Sequence, residues 1–111
     1  MEENNYVIFK KQYGNIKRPR VKELSINLNG VKIYEKEQSM IINIIVPVED
    51  STKTIQYFEE FNLGEDIQFN IAGTGDFECI FRGISPMIDK NSYSSFSITV
   101  QEKEPQDNVN S

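Results

Sequence analysis

The stretch LGEDIQFNIAGTGDFECIFRG, residues 63–83, decides how the chain is read. It holds a Gly-x-Gly, a group of carboxylates and the single cysteine, which together invite a ligand loop. Its hydrophobic pattern argues otherwise. Ile67, Phe69 and Ile71 alternate with Gln68 and Asn70, and Phe77, Cys79 and Phe81 alternate with Glu78 and Arg82, so each side reads as a half-buried strand. A phosphate loop needs backbone N–H groups converging on an anion, usually between a strand and a helix. Gly73-Thr74-Gly75 instead joins two strand patterns and precedes Asp76, whose charge opposes phosphate. The expectation is a hairpin, with Glu65 and Asp66 at its solvated start. Cys79 shares a face with Phe77 and Phe81, where a thiol packs as a small apolar group.

Working outward, Leu24, Ile26 and Leu28 alternate with Ser25 and Asn27, followed by Asn29-Gly30 and then Val31 and Ile33 around Lys32. Asn-Gly tolerates the positive φ of tight turns, so this segment is expected to be a hairpin. Met40 to Val46 is nearly continuous in β-branched and apolar residues, as expected of a central strand buried on both faces. The period then changes. Ile55, Phe58 and Phe61 recur every third residue, with Asp50, Ser51 or Thr52 able to cap the start and Gly64 the end. One short helix over 51–62 follows, its aromatic stripe on the core and Gln56, Glu59 and Glu60 outward. Phe96, Ile98 and Val100 alternate with serine and threonine in a last strand over Ser92–Gln101, and Tyr6–Phe9 adds a first one.

About seven strands and one helix make a mainly β fold, a small antiparallel β-barrel or compact sandwich. The order of three strands, helix and two strands from Val21 to Gly83 also suits an oligonucleotide/oligosaccharide-binding (OB) barrel. With 111 residues the chain suits one domain, assigned to 1–101. Residues 102–111 (EKEPQDNVNS) hold one apolar side chain and a proline, the composition of a flexible polar tail.

The composition narrows the chemistry. One cysteine cannot form an internal disulfide, and without histidine the usual thiolate and imidazole metal sites cannot be built. A cysteine nucleophile would also lack its base. The doublets Glu49-Asp50, Glu59-Glu60 and Glu65-Asp66 place neighbouring carboxylates on different sides of a helix or strand, a poor geometry for an acid/base pair. No enzymatic activity and no cofactor are expected. The N-terminus lacks the basic start and apolar run of a secretion signal, so synthesis is expected in the cytoplasm. Met40 to Val48 is the longest apolar run, is broken by Asn43 and Pro47, and falls far short of the roughly 20 residues of a membrane helix.

Charge is unevenly spread. Residues 1–38 carry eight Lys/Arg against five Glu, +3, and residues 39–111 carry four against twelve acids, −8, for a net −5. Complementary ends favour head-to-tail association of copies. The basic end is concentrated in KKQYGNIKRPRVK, Lys10 to Lys22, with six cations and no acid. Gly14 and Pro19 mark residues 10–20 as a loop or arm. Lys10, Lys11, Tyr13, Lys17, Arg18, Arg20 and Lys22 are the candidate contact residues. Cations with an interleaved aromatic suit single-stranded nucleic acid. A pI near 4.7 and the acidic remainder oppose a polyanion and favour an acidic protein partner.

Leu63-Gly64-Glu65-Asp66-Ile67-Gln68-Phe69, a glycine-rich turn, Cys79-Ile80-Phe81-Arg82-Gly83-Ile84-Ser85-Pro86 and then Tyr93 to Val100 resemble β-modules of tail and baseplate-hub structural proteins in tailed phages and related bacteriocin particles. Those modules follow a "G-D-x-hydrophobic-x-hydrophobic" strand with "F-x-G-x-I" and a further strand. The chain is too short for the several domains of a hub protein and is similar to one module. The resemblance implies a structural subunit of a virion or phage-tail-like particle: a tail, baseplate or neck component, oligomeric, contacting copies of itself and other particle proteins through loops and termini. A monomeric OB-like module that binds single-stranded nucleic acid or another ligand through Lys10–Lys22 stays open beside it.

Overall fold

The computed structural model describes residues 5–15 and 17–103. Eight strands and one α-helix follow in the order β1 (Tyr6–Gly14), β2 (Pro19–Asn27), β3 (Val31–Lys36), β4 (Ser39–Pro47), α1 (Ser51–Glu59), β5 (Asp66–Ile71), β6 (Asp76–Ile84), β7 (Ile88–Lys90) and β8 (Tyr93–Glu102). They form one antiparallel sheet in the order β2-β1-β5-β6-β8-β4-β3, with β7 paired to β8. The fold is mainly β, as the alternation implies. The sheet is not closed into a barrel, because β2 and β3 stand at opposite ends of the order and share no ladder.

One face of the sheet carries the core. Val7 and Phe9 of β1, Ile42 and Ile44 of β4, Ile67 and Phe69 of β5, Cys79 and Phe81 of β6, and Ile98 and Val100 of β8 are buried there at every second position. Helix α1 lies against them. The Phe58 ring sits 5.0 Å from Phe9 of β1 and 5.7 Å from Phe96 of β8. Since β5 and β6 separate those two strands, the sheet must curl around the helix for one ring to touch both. Phe61 stacks on Phe81, so the threefold spacing of the stripe does face the core. Each such ring contributes about 1.5–3 kcal/mol of burial free energy.

The helix is shorter than the spacing suggests. A 3-10 turn over Val48–Asp50 leads into it, and the Ser51 and Thr54 hydroxyls donate to the carbonyls of Val48 and Asp50. Asp50 occupies the N-cap position without a side-chain capping bond. Glu60 is the C-cap, so Gly64 does not end the helix. Its N–H instead bonds the Phe81 carbonyl at 2.8 Å and lays the chain alongside β6.

The Gly-x-Gly stretch is the hairpin turn between β5 and β6. The Gly73 N–H is occupied by Asn70 Oδ1 at 2.8 Å and the Thr74 N–H by the Ile71 carbonyl at 3.0 Å, so these donors serve the turn itself. Asn29-Gly30, by contrast, closes no hairpin. It belongs to a 3-10 turn, Leu28–Gly30, that joins the two edge strands of the sheet. Gly30 is required for space: a Cβ there would lie 2.3 Å from the Ile45 carbonyl oxygen of β4.

Two further expectations change. The Met40–Val46 strand is paired on both sides but stands next to the sheet's end, and only alternate residues are buried, with Ile45 36% exposed. Residues 10–20 form an arm made largely of strand rather than a loop: Lys10–Gly14 continue β1, Pro19 opens β2, and Lys17 and Arg18 lie in the connection between them. Of the proposed tail, Glu102 closes β8 and the Lys103 N–H bonds the Glu78 carbonyl at 3.3 Å, while 104–111 lie outside the described residues. No helix among the described residues is long and apolar enough to cross a membrane.

Candidate functional site: a basic hairpin arm

Strands β1 and β2 pair over their full length, from Tyr6↔Asn27 to Gly14↔Pro19. Strand β5 supports only Val7–Lys10 of β1. The four pairs from Lys11↔Lys22 to Gly14↔Pro19 therefore lie beyond the β1–β5 ladder and form a two-stranded arm, about 13 Å long at about 3.3 Å per residue. At the tip, Gly14 has φ +90, and a Cβ there would meet the Arg18 carbonyl oxygen at 2.5 Å. The Asn15 side chain accepts the Arg18 N–H at 2.8 Å. Pro19 fits the start of an edge strand, where no N–H is required.

Alternation places Lys11, Tyr13, Arg20 and Lys22 on one face of the arm, the continuation of the face that holds Val7 and Phe9. Lys11, Tyr13 and Lys22, together with Glu60, line a shallow depression of ≈ 450 Å³. Lys10 lies on the opposite face, and Lys17 and Arg18 are in the turn. The segment thus does not form one patch.

Three of its six cations are committed to acids of the same chain. Lys11 and Lys22 stand directly opposite each other, an unfavourable like-charge pair by itself. Each has its own carboxylate: Lys11 pairs with Glu65, and Lys22 Nζ lies 3.2 Å from Glu60 Oε1. Lys11 also sits 5.0 Å above the Phe61 ring, and the second Glu65 oxygen accepts the Asn62 N–H at 2.9 Å. Lys10 reaches Asp76 at 3.4 Å. The Tyr57 hydroxyl donates to the Lys22 carbonyl at 2.9 Å, fixing β2 to the helix. Burial, with Glu23, Glu60 and Glu65 adding to it, raises the Tyr57 pKa far above its ordinary value, so the phenol keeps this proton.

The acids Glu60, Glu65 and Asp76 are absent from the sequence-based set. No local signal marks them, since they lie 38, 54 and 66 residues from their partners. Glu65 in particular is half-buried and bonded rather than freely solvated. Among the described residues, no carboxylate lies within ion-pair distance of Lys17, Arg18 or Arg20. The free charge of the arm is therefore distal, beside Tyr13, which is 47% exposed and directly opposite Arg20.

Comparison with protein-family models, curated proteins and solved structures finds no match to this chain.

Cys79 is fully buried on β6. Burial first, and Glu102 second, push its thiol up to about 11, so it is a neutral core group at ordinary pH. Among the described residues, no three His, Cys, Asp or Glu side chains gather as a metal-binding group.

Proposed function

We propose that this protein is a non-enzymatic assembly subunit that works in multiple copies, with the β1–β2 arm as a contact element. The particle setting, a tail, baseplate or neck component of a phage or phage-tail-like particle, rests on the sequence resemblance of residues 63–100. The observation that carries the assembly reading is the division of charge along the arm. Its base is neutralised by Glu60, Glu65 and Asp76, whereas Lys17, Arg18 and Arg20 lie toward its tip, beyond the β1–β5 ladder. A pinned base with a cationic tip suits an acidic protein surface, and the net −5 of the chain supplies such surfaces on neighbouring copies. The same flanking acids oppose a nucleic-acid backbone.

Light scattering after size-exclusion chromatography of the full chain tests this. At low salt the wild type forms a species larger than that of the Lys17→Ser/Arg18→Ser/Arg20→Ser variant, and raised salt removes the difference. The exposed Tyr13–Arg20 pair favours a second reading, stacking and phosphate contact with a single-stranded oligonucleotide. A monodisperse monomer that shifts such an oligonucleotide at low salt, with weaker binding and a flatter salt dependence in the triple variant, overturns the assembly reading.

A further inference from the structure

We propose that the inner face of the β1–β2 arm is a latent site for single-stranded nucleic acid, and that Glu60 and Glu65 are the specificity-determining residues that keep it closed. This deepens the assembly reading and rests on it, since it names what reserves a cationic arm for protein surfaces. The parts of the site are Lys11 opposite Lys22 and Tyr13 opposite Arg20, all four on the face that continues Val7 and Phe9. The two pairs stand about 6.6 Å apart at about 3.3 Å per residue. Three cations around an exposed aromatic ring supply both contacts that a single strand needs, phosphate neutralisation and base stacking. Lys10 and its partner Asp76 lie on the other face, so the acids that act on the site are Glu60 and Glu65.

The two acids close the site in different ways. Glu65 draws Lys11 away from a ligand: the pair is half-buried, the ammonium sits 5.0 Å above the Phe61 ring, and the second carboxylate oxygen accepts the Asn62 N–H at 2.9 Å. Glu60 occupies the site itself. It lines the same depression as Lys11, Tyr13 and Lys22, and its pair with Lys22 at 3.2 Å is exposed on both sides. An exposed ion pair is weak, so a phosphate can take the place of Glu60 on Lys22. The displaced carboxylate stays on the same wall, however, and repels the phosphate that displaced it. A base stacked on Tyr13 brings its backbone within reach of this carboxylate. An acidic protein surface meets Lys17, Arg18 and Arg20 toward the tip and need not enter the depression.

Closure is separable from position. The Tyr57 hydroxyl donates to the Lys22 carbonyl whatever the charge on Glu60, so Glu60→Gln leaves β2 tied to α1. Glu65→Gln keeps a side-chain oxygen for the Asn62 N–H. Both substitutions remove charge and leave the hydrogen-bonded frame.

Fluorescence anisotropy of a labelled single-stranded oligonucleotide, titrated with the full chain at low salt, tests the latent site. Glu60→Gln/Glu65→Gln should bind at least about tenfold more tightly than the wild type, and log K should fall more steeply with log salt by about 1.4, about 0.7 for each freed lysine. Glu35→Gln/Glu37→Gln, which removes the same charge from β3 and the turn after it, should bind as the wild type does. Adding Tyr13→Ala to the Glu60→Gln/Glu65→Gln variant should abolish the gain. Glu60→Gln alone should give the larger part of the gain, and as a change in an exposed pair it reports even if the double variant melts early in circular dichroism. A double variant that binds no more tightly than Glu35→Gln/Glu37→Gln, or a gain that survives Tyr13→Ala, overturns the latent site; salt-sensitive association through Lys17, Arg18 and Arg20 then leaves the assembly reading in place. A wild type that already binds as tightly as the double variant overturns closure by the two acids, and, if it is a monodisperse monomer, the assembly reading with it.

Discussion

The two halves of the β1–β2 hairpin share one ladder and one register but serve opposite ends. From Tyr6 to Lys10 the hairpin is paired to β5 and lays Val7 and Phe9 into the core, with Phe9 5.0 Å from Phe58 and 5.8 Å from Phe69. From Lys11 to Gly14 the same strands run on beyond the ladder with β5, and the positions that continue the inward face hold Lys11, Tyr13, Arg20 and Lys22. Backbone pairing is continuous across the boundary, so hydrogen bonds do not distinguish core from arm. Side chains do. Where the inward positions are apolar the hairpin stabilises the fold, and where they are cationic it presents charge. Glu60, Glu65 and the Tyr57 hydroxyl mark the boundary by fixing the base of the arm to the region of α1 and the loop that follows it.

The contrast can be broken most forcefully from its buried side. Phe9→Ala should cost about 3–5 kcal/mol in chemical denaturation, since it opens a cavity among Phe58 and Phe69, whereas Tyr13→Ala on the same face of the same strand should change stability by about 0.5 kcal/mol or less. The core should also weaken in alkali. The unfolded thiol of Cys79 loses its proton near the ordinary 9.0, whereas the native thiol keeps it to about 11. The unfolded state therefore binds fewer protons in that window, and stability falls as pH rises through it, by about 2–3 kcal/mol for this group. Denaturation midpoints of wild type and Cys79→Ala across pH 9–11 should differ by that slope. At the boundary, Tyr57→Phe leaves the Lys22 carbonyl without its hydroxyl donor and should cost about 1–2 kcal/mol. The smallest effect on stability belongs to the tip. Lys17→Ser/Arg18→Ser/Arg20→Ser should melt within about 0.5 kcal/mol of wild type, while losing salt-sensitive association.

What could be read from the sequence was local. The β5–β6 hairpin, the aromatic stripe of α1, the burial of Cys79 and the alternation of β8 follow from side-chain periods within each segment. Asn29-Gly30 misled because its usual use is a tight turn, whereas Gly30 is needed for close approach to the Ile45 carbonyl, a contact that only the folded sheet creates. Gly14 and Pro19 looked like loop punctuation, yet they are the last pair of a long ladder. The basic segment was visible as a charge run. Its division into a neutralised base and a free tip was not, because Glu60, Glu65 and Asp76 reach it only through tertiary structure.

Sedimentation velocity of the full-length wild type and the Lys17→Ser/Arg18→Ser/Arg20→Ser variant, side by side at low and raised salt, tests the central claim most directly. The account predicts that the wild type sediments as a larger species at low salt than at raised salt, and that the variant is the same at both. Identical sedimentation of wild type and variant at low salt would contradict it.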